Sequence, residues 1–385
     1  RENRMNKIPL IENACKELME YGVQSRQEKC KDLVRRLLLH RRTQGEDPIF
    51  WPTGLLASGL WACREEVLQL AAAERKEAAG VPHTEQVIEM IEGALAAYYR
   101  RWLKKGMPIM YLDDLLAGET LLDMYGAAQQ ADAHEISGLS AGQIKEALDK
   151  MASYAADHPT DAAGSFLYRP EGKESTVFVD GIGLACPFLY RYGEMFGGQE
   201  YKELALRQIV NFLSYGMDGA TGLSYHGYDA ADGCKYGIIG WGRAVGWLLR
   251  GMVGCMISDY GRERLNVPFA ALVDAALAWQ RQDGFFSWQL EAVEGPADTS
   301  ATGMICVGLK QGIAAGVLAG EKYENALTAG SHALERSVRD GRVYRCSGEC
   351  EGFSRYPQCY GAYPWSLGPA LEVFRLGADK GHTGI

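Results

Sequence analysis

The stretch Val177-Phe-Val-Asp-Gly-Ile-Gly-Leu-Ala-Cys-Pro-Phe-Leu189 sets an apolar β-prone run, one acid, a Gly-Ile-Gly turn and a helical apolar run in direct succession. It reads as a loop-to-helix junction with a carboxylate at the joint. Asp180 sits among bulky apolar neighbours, where a carboxyl group is costly to ionise and therefore suited to holding a proton. The competing reading is a cap on the helix that follows.

Outward from this junction the dominant pattern is helical. Apolar residues recur at three- and four-residue intervals over Ile11–Tyr21, Glu28–Arg42, Glu65–Lys76, Glu85–Lys105, Gly118–Ala128, Gly142–His158, Ile182–Phe196, Tyr201–Tyr215, Trp247–Tyr260, Pro268–Gln282, Thr299–Ala315, Lys322–Val338 and Gly368–Leu376. Gly follows Tyr at Tyr21-Gly22, Tyr125-Gly126, Tyr192-Gly193, Tyr215-Gly216 and Tyr260-Gly261, a pattern expected at helix ends. Strand signals are short: Ser165–Tyr168 and Thr176–Val179 read as one small hairpin. Gly237-Ile-Ile-Gly-Trp-Gly242 has the wrong order for a dinucleotide fingerprint, and no βαβ rhythm surrounds it. The 46 glycines among 385 residues exceed the usual ~7% and are expected in loops between helices. About a dozen helices in pairs, joined by loops rich in Gly, Trp and Asp, predict an all-α toroid, a single α/α barrel with short β-hairpins in the loops and one binding end. No Pro/Ser-rich linker divides the chain, so residues 1–385 read as a single domain.

Composition narrows the function. The chain is 47% hydrophobic and 23% charged, with a net charge of −9 and a pI near 5.4. That balance disfavours nucleic acid as a partner. The basic cluster Arg35-Arg36 with His40-Arg41-Arg42 is small and reads as a solvated helix face. No run reaches the ~18 apolar residues of a membrane span. The polar start, Arg1–Leu10, lacks a signal-peptide core, which makes the cytoplasm the expected location. The scattered cysteines suit reduced, buried thiols. Cys346, Cys350 and Cys359 lie closer together, but no His completes a zinc pattern, so no metal is expected there.

Further candidates are loop-borne. Trp51, before Pro52, is expected in an extended loop as a sugar-stacking face. Asp113 and Asp114 either cap the next helix or supply a pocket acid. His226 sits between aromatics with Asp229 nearby, as a core histidine or a site residue. Trp241-Gly-Arg-Ala-Val-Gly-Trp247 flanks Arg243 with two indoles; the guanidinium either forks a carboxylate ligand or pairs with a structural Asp. Trp288 is a further candidate wall, and Asp298, Thr299 or Ser300 a candidate cap.

Together these loops resemble the unsaturated rhamnogalacturonyl hydrolases of glycoside hydrolase family 105 and, more distantly, the unsaturated glucuronyl hydrolases of family 88. The resemblance is carried by Phe178-Val-Asp-Gly181 with Cys186–Leu189, Tyr225-His-Gly-Tyr-Asp229, Trp241-Gly-Arg243 with Gly246-Trp247, and Thr299-Ser300-Ala301, in order over roughly residues 45–375. Tyr228 replaces a family Trp, and Ala244 a family Gly. The resemblance implies an (α/α)6 barrel with Asp180 as general acid/base and His226 helping to hold water or a hydroxyl. Asp113 or Asp114 matches the second pocket carboxylate, and Trp51, Trp241, Arg243, Trp247 and Trp288 would bind substrate. It further implies a small unsaturated oligosaccharide substrate, no cofactor, and a monomer or homodimer. The expected reaction hydrates the C4–C5 double bond of a terminal unsaturated uronyl sugar, most simply galacturonyl on rhamnose. The alternatives are a conventional inverting glycosidase, a sugar epimerase on the same barrel, or a non-catalytic carbohydrate-binding barrel.

Overall fold

A computed structural model describes residues 7–21, 49–76, 84–131, 134–168 and 175–374. The expected helix Glu28–Arg42 and its basic cluster lie outside the described residues. Among these there are twelve α-helices: α1 (Ile8–Glu20), α2 (Trp51–Lys76), α3 (Thr84–Lys104), α4 (Ala117–Gln130), α5 (Ala141–Ala156), α6 (Asp180–Phe196), α7 (Gln199–Tyr215), α8 (Gly242–Gly254), α9 (Asp259–Leu277), α10 (Thr299–Ala314), α11 (Glu321–Glu335) and α12 (Pro364–Val373). Helix α2 packs on α4, α4 on α6, α6 on α8, α8 on α10, α10 on α12, and α12 back on α2. This closes an inner ring of six. The alternate helices pack outside it, and α1 touches α2, α3 and α12 where the ring closes. The fold is an (α/α)6 barrel. None of the described helices is long and apolar enough to cross a membrane.

Local chemistry sets the helix boundaries. Ser140 and Gln143 form a capping box at the start of α5, with the Gln143 amide donating to Ser140 Oγ at 3.2 Å. Asp298 caps α10 by accepting from the Ser300 amide at 2.9 Å. Helix α6 ends at Gly197, whose φ of +79° is left-handed backbone that a side chain would strain.

The Tyr-Gly expectation holds at Tyr215-Gly216, the end of α7. It fails at Tyr125-Gly126, Tyr192-Gly193 and Tyr260-Gly261, which lie inside α4, α6 and α9. Close packing accounts for two of these glycines. A Cβ on Gly193 would collide with the Gly198 carbonyl, and one on Gly261 with the Cys255 carbonyl. The glycine excess is likewise not confined to loops. Gly59 of α2 and Gly368 of α12 meet backbone to backbone, and Gly183 of α6 lies against the Trp247 backbone of α8. The inner helices approach closely because glycine leaves room at these contacts.

The β-structure also departs from expectation. Thr176–Phe178 (β3) takes Gly227–Asp229 (β4) as its antiparallel strand partner, and β4 pairs with Lys235–Tyr236 (β5); residues 165–168 form no strand with β3, though the Tyr168 amide donates to the Thr176 carbonyl at 3.0 Å. The two-residue ladders β1 (Glu135–Ile136) with β2 (Leu139–Ser140), β6 (Val338–Arg339) with β7 (Arg342–Val343), and β8 (Cys346–Ser347) with β9 (Tyr360–Gly361) complete the set. The β3–β4 pairing fixes Asp180, just after β3, beside His226, just before β4.

Buried polar ties cross the ring. Arg250 of α8 reaches Glu119 of α4 at 3.2 Å, Glu372 of α12 at 3.4 Å and Ser58 of α2 at 2.8 Å. Burial pushes both carboxyls above their ordinary values, and Arg250 opposes that push. Such a pair is costly to break because one charge would remain buried alone. Lys7, also buried, donates to Glu66 of α2 and to the Phe374 carbonyl after α12, joining the start of the described chain to its end.

The close approach of α2 and α12 generates a paired test. Gly59→Ala should lower unfolding free energy by about 1–3 kcal/mol, since the new methyl group would lie 2.4 Å from the Gly368 carbonyl oxygen. Gly93→Ala, in α3 with nothing within 4 Å of the new Cβ, should raise it by up to about 1 kcal/mol. Urea denaturation of both variants against the parent measures the contrast; equal midpoints would contradict it.

Candidate active site

All six inner helices begin at the same end of the barrel. Trp51 opens α2, Asp113 precedes α4, Asp180 opens α6, Trp241 precedes α8, Asp298 precedes α10, and Trp365 lies in the first turn of α12. Between these starts lies a cavity of about 500 Å³. One wall is Phe50, Trp51, Leu184 and Trp247, joined with Trp365 in a distinct apolar cluster. Trp51 packs edge-on to Trp247, with ring centroids 6.1 Å apart, and tilted on Trp365 at 5.0 Å. Tyr168, Phe178 and Trp241 also line it, with Tyr168 packed against that cluster and stacked on Phe178 at 4.5 Å.

Asp180 does not cap α6: the N-cap position is Val179, and no side chain bonds there. Its Oδ2 lies 3.0 Å from His226 Nε2, and the carboxylate keeps an outlet to the cavity, its side chain being 13% exposed. His226 is fully buried against Phe178, Phe353 and Trp241. Its Nδ1 lies 2.9 Å from the Tyr356 hydroxyl. Both ring nitrogens are therefore engaged by protein groups, and the ring braces Asp180. Asp229 is not the carboxylate beside His226. It shapes its own turn, accepting from the Ala231 amide at 2.8 Å and from Ser175.

The two neighbouring acids separate. Asp113 lines the cavity and accepts a hydrogen bond from the Tyr168 hydroxyl at 2.7 Å. Asp114 turns back on its own 3-10 turn, Leu112–Leu116, and accepts from the Met110 and Tyr111 amides at 2.7 and 3.3 Å. It is fully buried and does not line the cavity.

Trp51 is helical, not extended. Pro52 falls in the first turn, where its missing N–H has no helical partner to lose. Trp241 and Trp247 line the cavity as expected. Trp288 is not among its lining residues and instead packs on Tyr356 at 5.8 Å.

Arg243 reaches the cavity, but much of its fork is already engaged. Nη1 donates to Ser300 Oγ at 3.2 Å, Ser347 Oγ at 2.6 Å and the Ser347 carbonyl at 3.1 Å; Nη2 donates to the Gly348 carbonyl at 2.7 Å. Burial works against its charge, yet Asp298 at 3.9 Å and other nearby groups hold its pKa above the ordinary value. Asp298 in turn accepts from the Ser347 amide at 3.2 Å and the Ser347 hydroxyl at 2.7 Å. The pair grips the segment after β8. Residues 349–352 of that segment form part of the cavity wall.

This strap carries site residues that sequence reasoning missed. Glu349 sits at the rim with much of its surface open to water; the walls push its carboxyl upward, opposed by Trp51 and Arg243, and its exposure makes this a modest effect. Burial, with Asp180 adding to it, pushes the Cys350 thiol up to about 12, so it is not a ready nucleophile. The available signal was the compact run Ser347-Gly-Glu-Cys-Glu-Gly-Phe353, rich in glycine and acid and ending in an aromatic. Among the described residues no group of three or more His, Cys, Asp and Glu side chains is placed to hold a metal ion.

A cavity walled by indoles, with a braced carboxylate on one side and a second carboxylate nearby, has the parts for acid/base chemistry on a sugar. Comparison with known proteins shows the kinship of the chain. The chain is 33% identical over 166 residues to Protein Atu3128 of Agrobacterium fabrum, covering 39% of this chain and 70% of the relative. It is 23% identical over 265 residues to the unsaturated rhamnogalacturonyl hydrolase YesR of Bacillus subtilis, covering 66% of this chain and 74% of that protein. Among solved structures, a possible member of the GH105 family from Klebsiella pneumoniae superposes with a TM-score of 0.74 at 15% identity, over 97% of this chain and 94% of the other. The unsaturated glucuronyl hydrolase of Bacillus sp. GL1 gives 0.63 at 17% identity, over 95% and 94%. At such identities the superpositions speak for the fold. Family membership rests on the sequence model for Glycosyl Hydrolase Family 88, which matches residues 51–363. With four-fifths of its length inside that match, the chain belongs to glycosyl hydrolase family 88 and is a glycosidase.

Proposed function

We propose that this glycosidase removes a terminal 4,5-unsaturated uronyl sugar from an oligosaccharide by hydrating its double bond, with an unsaturated galacturonyl-rhamnose unit as the substrate and family 105 as the narrower kinship. The observation that carries the reading is Asp180. It opens a helix without capping it, is gripped at Oδ2 by His226, and faces an indole-walled cavity.

The C4–C5 bond of such a sugar is an enol ether. Protonation at C4 by Asp180 leaves an oxocarbenium-like cation at C5, stabilised by the ring oxygen. Water then adds at C5 while Asp180, now a carboxylate, takes one of its protons. The resulting hemiketal opens, and the sugar attached at C1 departs. One carboxyl group serves both halves of the cycle. Asp113, held by Tyr168, faces the same space and orients the sugar or the water. Trp51, Trp241 and Trp247 supply flat faces. Arg243 acts through the strap that it anchors. His226 holds Asp180 and does not itself hold the water. The relative YesR, named for rhamnogalacturonyl substrates, supports the choice of sugar.

Asp113 also supports a second reading, since an acid facing Asp180 across a cavity could serve a conventional inverting glycosidase. Chemistry separates the two. Hydration consumes the double bond, so ultraviolet absorbance of an unsaturated disaccharide should fall as product forms, and saturated uronides should not turn over. Release of sugar from a saturated uronide would favour the conventional route.

Asp180→Asn should keep the fold and lose a factor of about 10²–10⁴ in kcat, read by the same absorbance assay beside a circular dichroism melt. Wild-type turnover by that variant would remove Asp180 from its role. The neighbouring acids should part company: Asp113→Asn should lower kcat, whereas Asp114→Ala should cost about 1 kcal/mol of stability through the lost cap and leave kcat near the parent value.

A further inference from the structure

His226 has two polar partners, and they determine where its proton sits. A neutral imidazole carries one N–H, and the hydrogen bond at one nitrogen decides the role of the other. At Nδ1 the partner is the Tyr356 hydroxyl, 2.9 Å away; at Nε2 it is Asp180 Oδ2, 3.0 Å away. A hydroxyl can donate or accept. Burial raises the phenol's pKa and keeps it protonated, so it has a hydrogen to give. Asp180 Oδ2 is an acceptor whether the carboxyl is ionised or carries its proton on Oδ1, so it draws the imidazole hydrogen to Nε2, and the phenol directs its own hydrogen to the bare Nδ1. The imidazole hydrogen then lies on Nε2 and points at Asp180.

The surroundings fix this arrangement. Gly237, at φ +81°, passes so close that a Cβ there would lie 2.5 Å from His226 Cβ and 2.7 Å from the Tyr356 oxygen. Trp241 and Trp288 pack on the Tyr356 ring at 5.6 and 5.8 Å. The strap that delivers Tyr356 is tied down at Ser347 by Arg243, Asp298 and the Trp365 indole N–H, the last at 3.0 Å.

We propose that Tyr356 is a positioning residue: by donating to Nδ1 it fixes His226 as the Nε2–H tautomer, which holds Oδ2 of Asp180 and leaves Oδ1 to exchange the proton with substrate. This rests on the acid/base role proposed for Asp180, but the tautomer itself can be read in the free enzyme. The bond inventory balances. Asp180 Oδ1 loses its proton to C4 and regains one from the water that adds at C5, while the hydrogens on Nε2 and on the phenol stay where they are.

The test uses the full chain labelled with 15N-histidine. Long-range proton–nitrogen correlation spectra are recorded without substrate for the parent and for Tyr356→Phe, with His226→Gln to assign the resonances. The expected result is an Nε2–H tautomer for His226 in the parent and a loss of that single tautomer in Tyr356→Phe. In the variant kcat should fall on the order of tenfold to a hundredfold, with KM and the thermal midpoint little changed. A purely structural tyrosine would move the midpoint and leave the tautomer alone. An Nδ1–H tautomer in the parent, an unaltered His226 spectrum in the variant, or an altered spectrum with parental kcat would each overturn the proposal. If the parent itself turned over no unsaturated disaccharide, the functional reading would fall separately, and the spectra would still decide the tautomer.

Discussion

Six inner helices that start at one end of the barrel impose the constraint on which the site depends. Each start leaves backbone N–H groups without helical partners, and each helix brings a partial positive charge of about +0.5 to that end. The ring closes tightly only because Gly59 meets Gly368 and Gly183 meets Trp247 without intervening side chains. Looser packing would spread the starts apart and dissolve the cavity between them. Some 8 residues deeper into α8, or about 12 Å at the usual helical rise, Arg250 ties four of the six helices through Glu119, Glu372 and Ser58. The ring is thus locked by glycine contacts and by one buried guanidinium beneath its open end.

A second buried guanidinium sits at the mouth and acts differently. Arg243 and Asp298 belong to adjacent inner helices, and together they hold Ser347 and Gly348. Two charges buried this deeply gain stability only when their remaining donors and acceptors are filled, and here two backbone carbonyls, two amides and two hydroxyls fill them. The result is a strap after β8 whose first residues are rigid and whose later residues, Phe353 and Tyr356, close over His226. The chemistry proposed for Asp180 therefore depends on a chain of contacts that begins on the far wall at α10.

Much of this arrangement was legible in the sequence. Three- and four-residue apolar spacing located most of the helices, and the Gly-, Trp- and Asp-rich loops pointed to one functional end. Asp180, Trp241 and Trp247 were visible because an acid among bulky apolar residues, and two indoles flanking an arginine, stood in glycine-flanked runs leading into helices, although an acid there also fits a cap, as Asp298 shows. The choice between Asp113 and Asp114 was not visible, since adjacent residues differ only in the direction each faces in the 3-10 turn. Trp51 was misread as extended because Pro restricts the residue before it, while the first turn of a helix tolerates Pro without loss. Tyr356 was hidden for another reason. It lies 130 residues from His226, and nothing local to Ser354-Arg-Tyr-Pro357 distinguishes a tyrosine that meets a histidine from one that meets solvent.

The charge balance of the cavity bears on how an acid there would work. Among the described residues, Asp113, Asp180, Glu349 and Glu351 line it, and Arg243, the cation of that lining, directs much of its fork to the strap. From this lining an anionic uronyl group would draw attraction through the converging helix starts and neutral hydrogen-bond donors. On the proposed reading this is an advantage. A bound carboxylate a few ångströms from Asp180 opposes a second negative charge, so the complex favours the proton-bearing acid. Once that proton passes to C4, the cation at C5 lies between two carboxylates, its own and that of Asp180, which stabilise it in a site shielded from bulk water. A strongly cationic pocket would hold the same substrate more firmly, but it would also favour the ionised acid and disfavour the cation at C5.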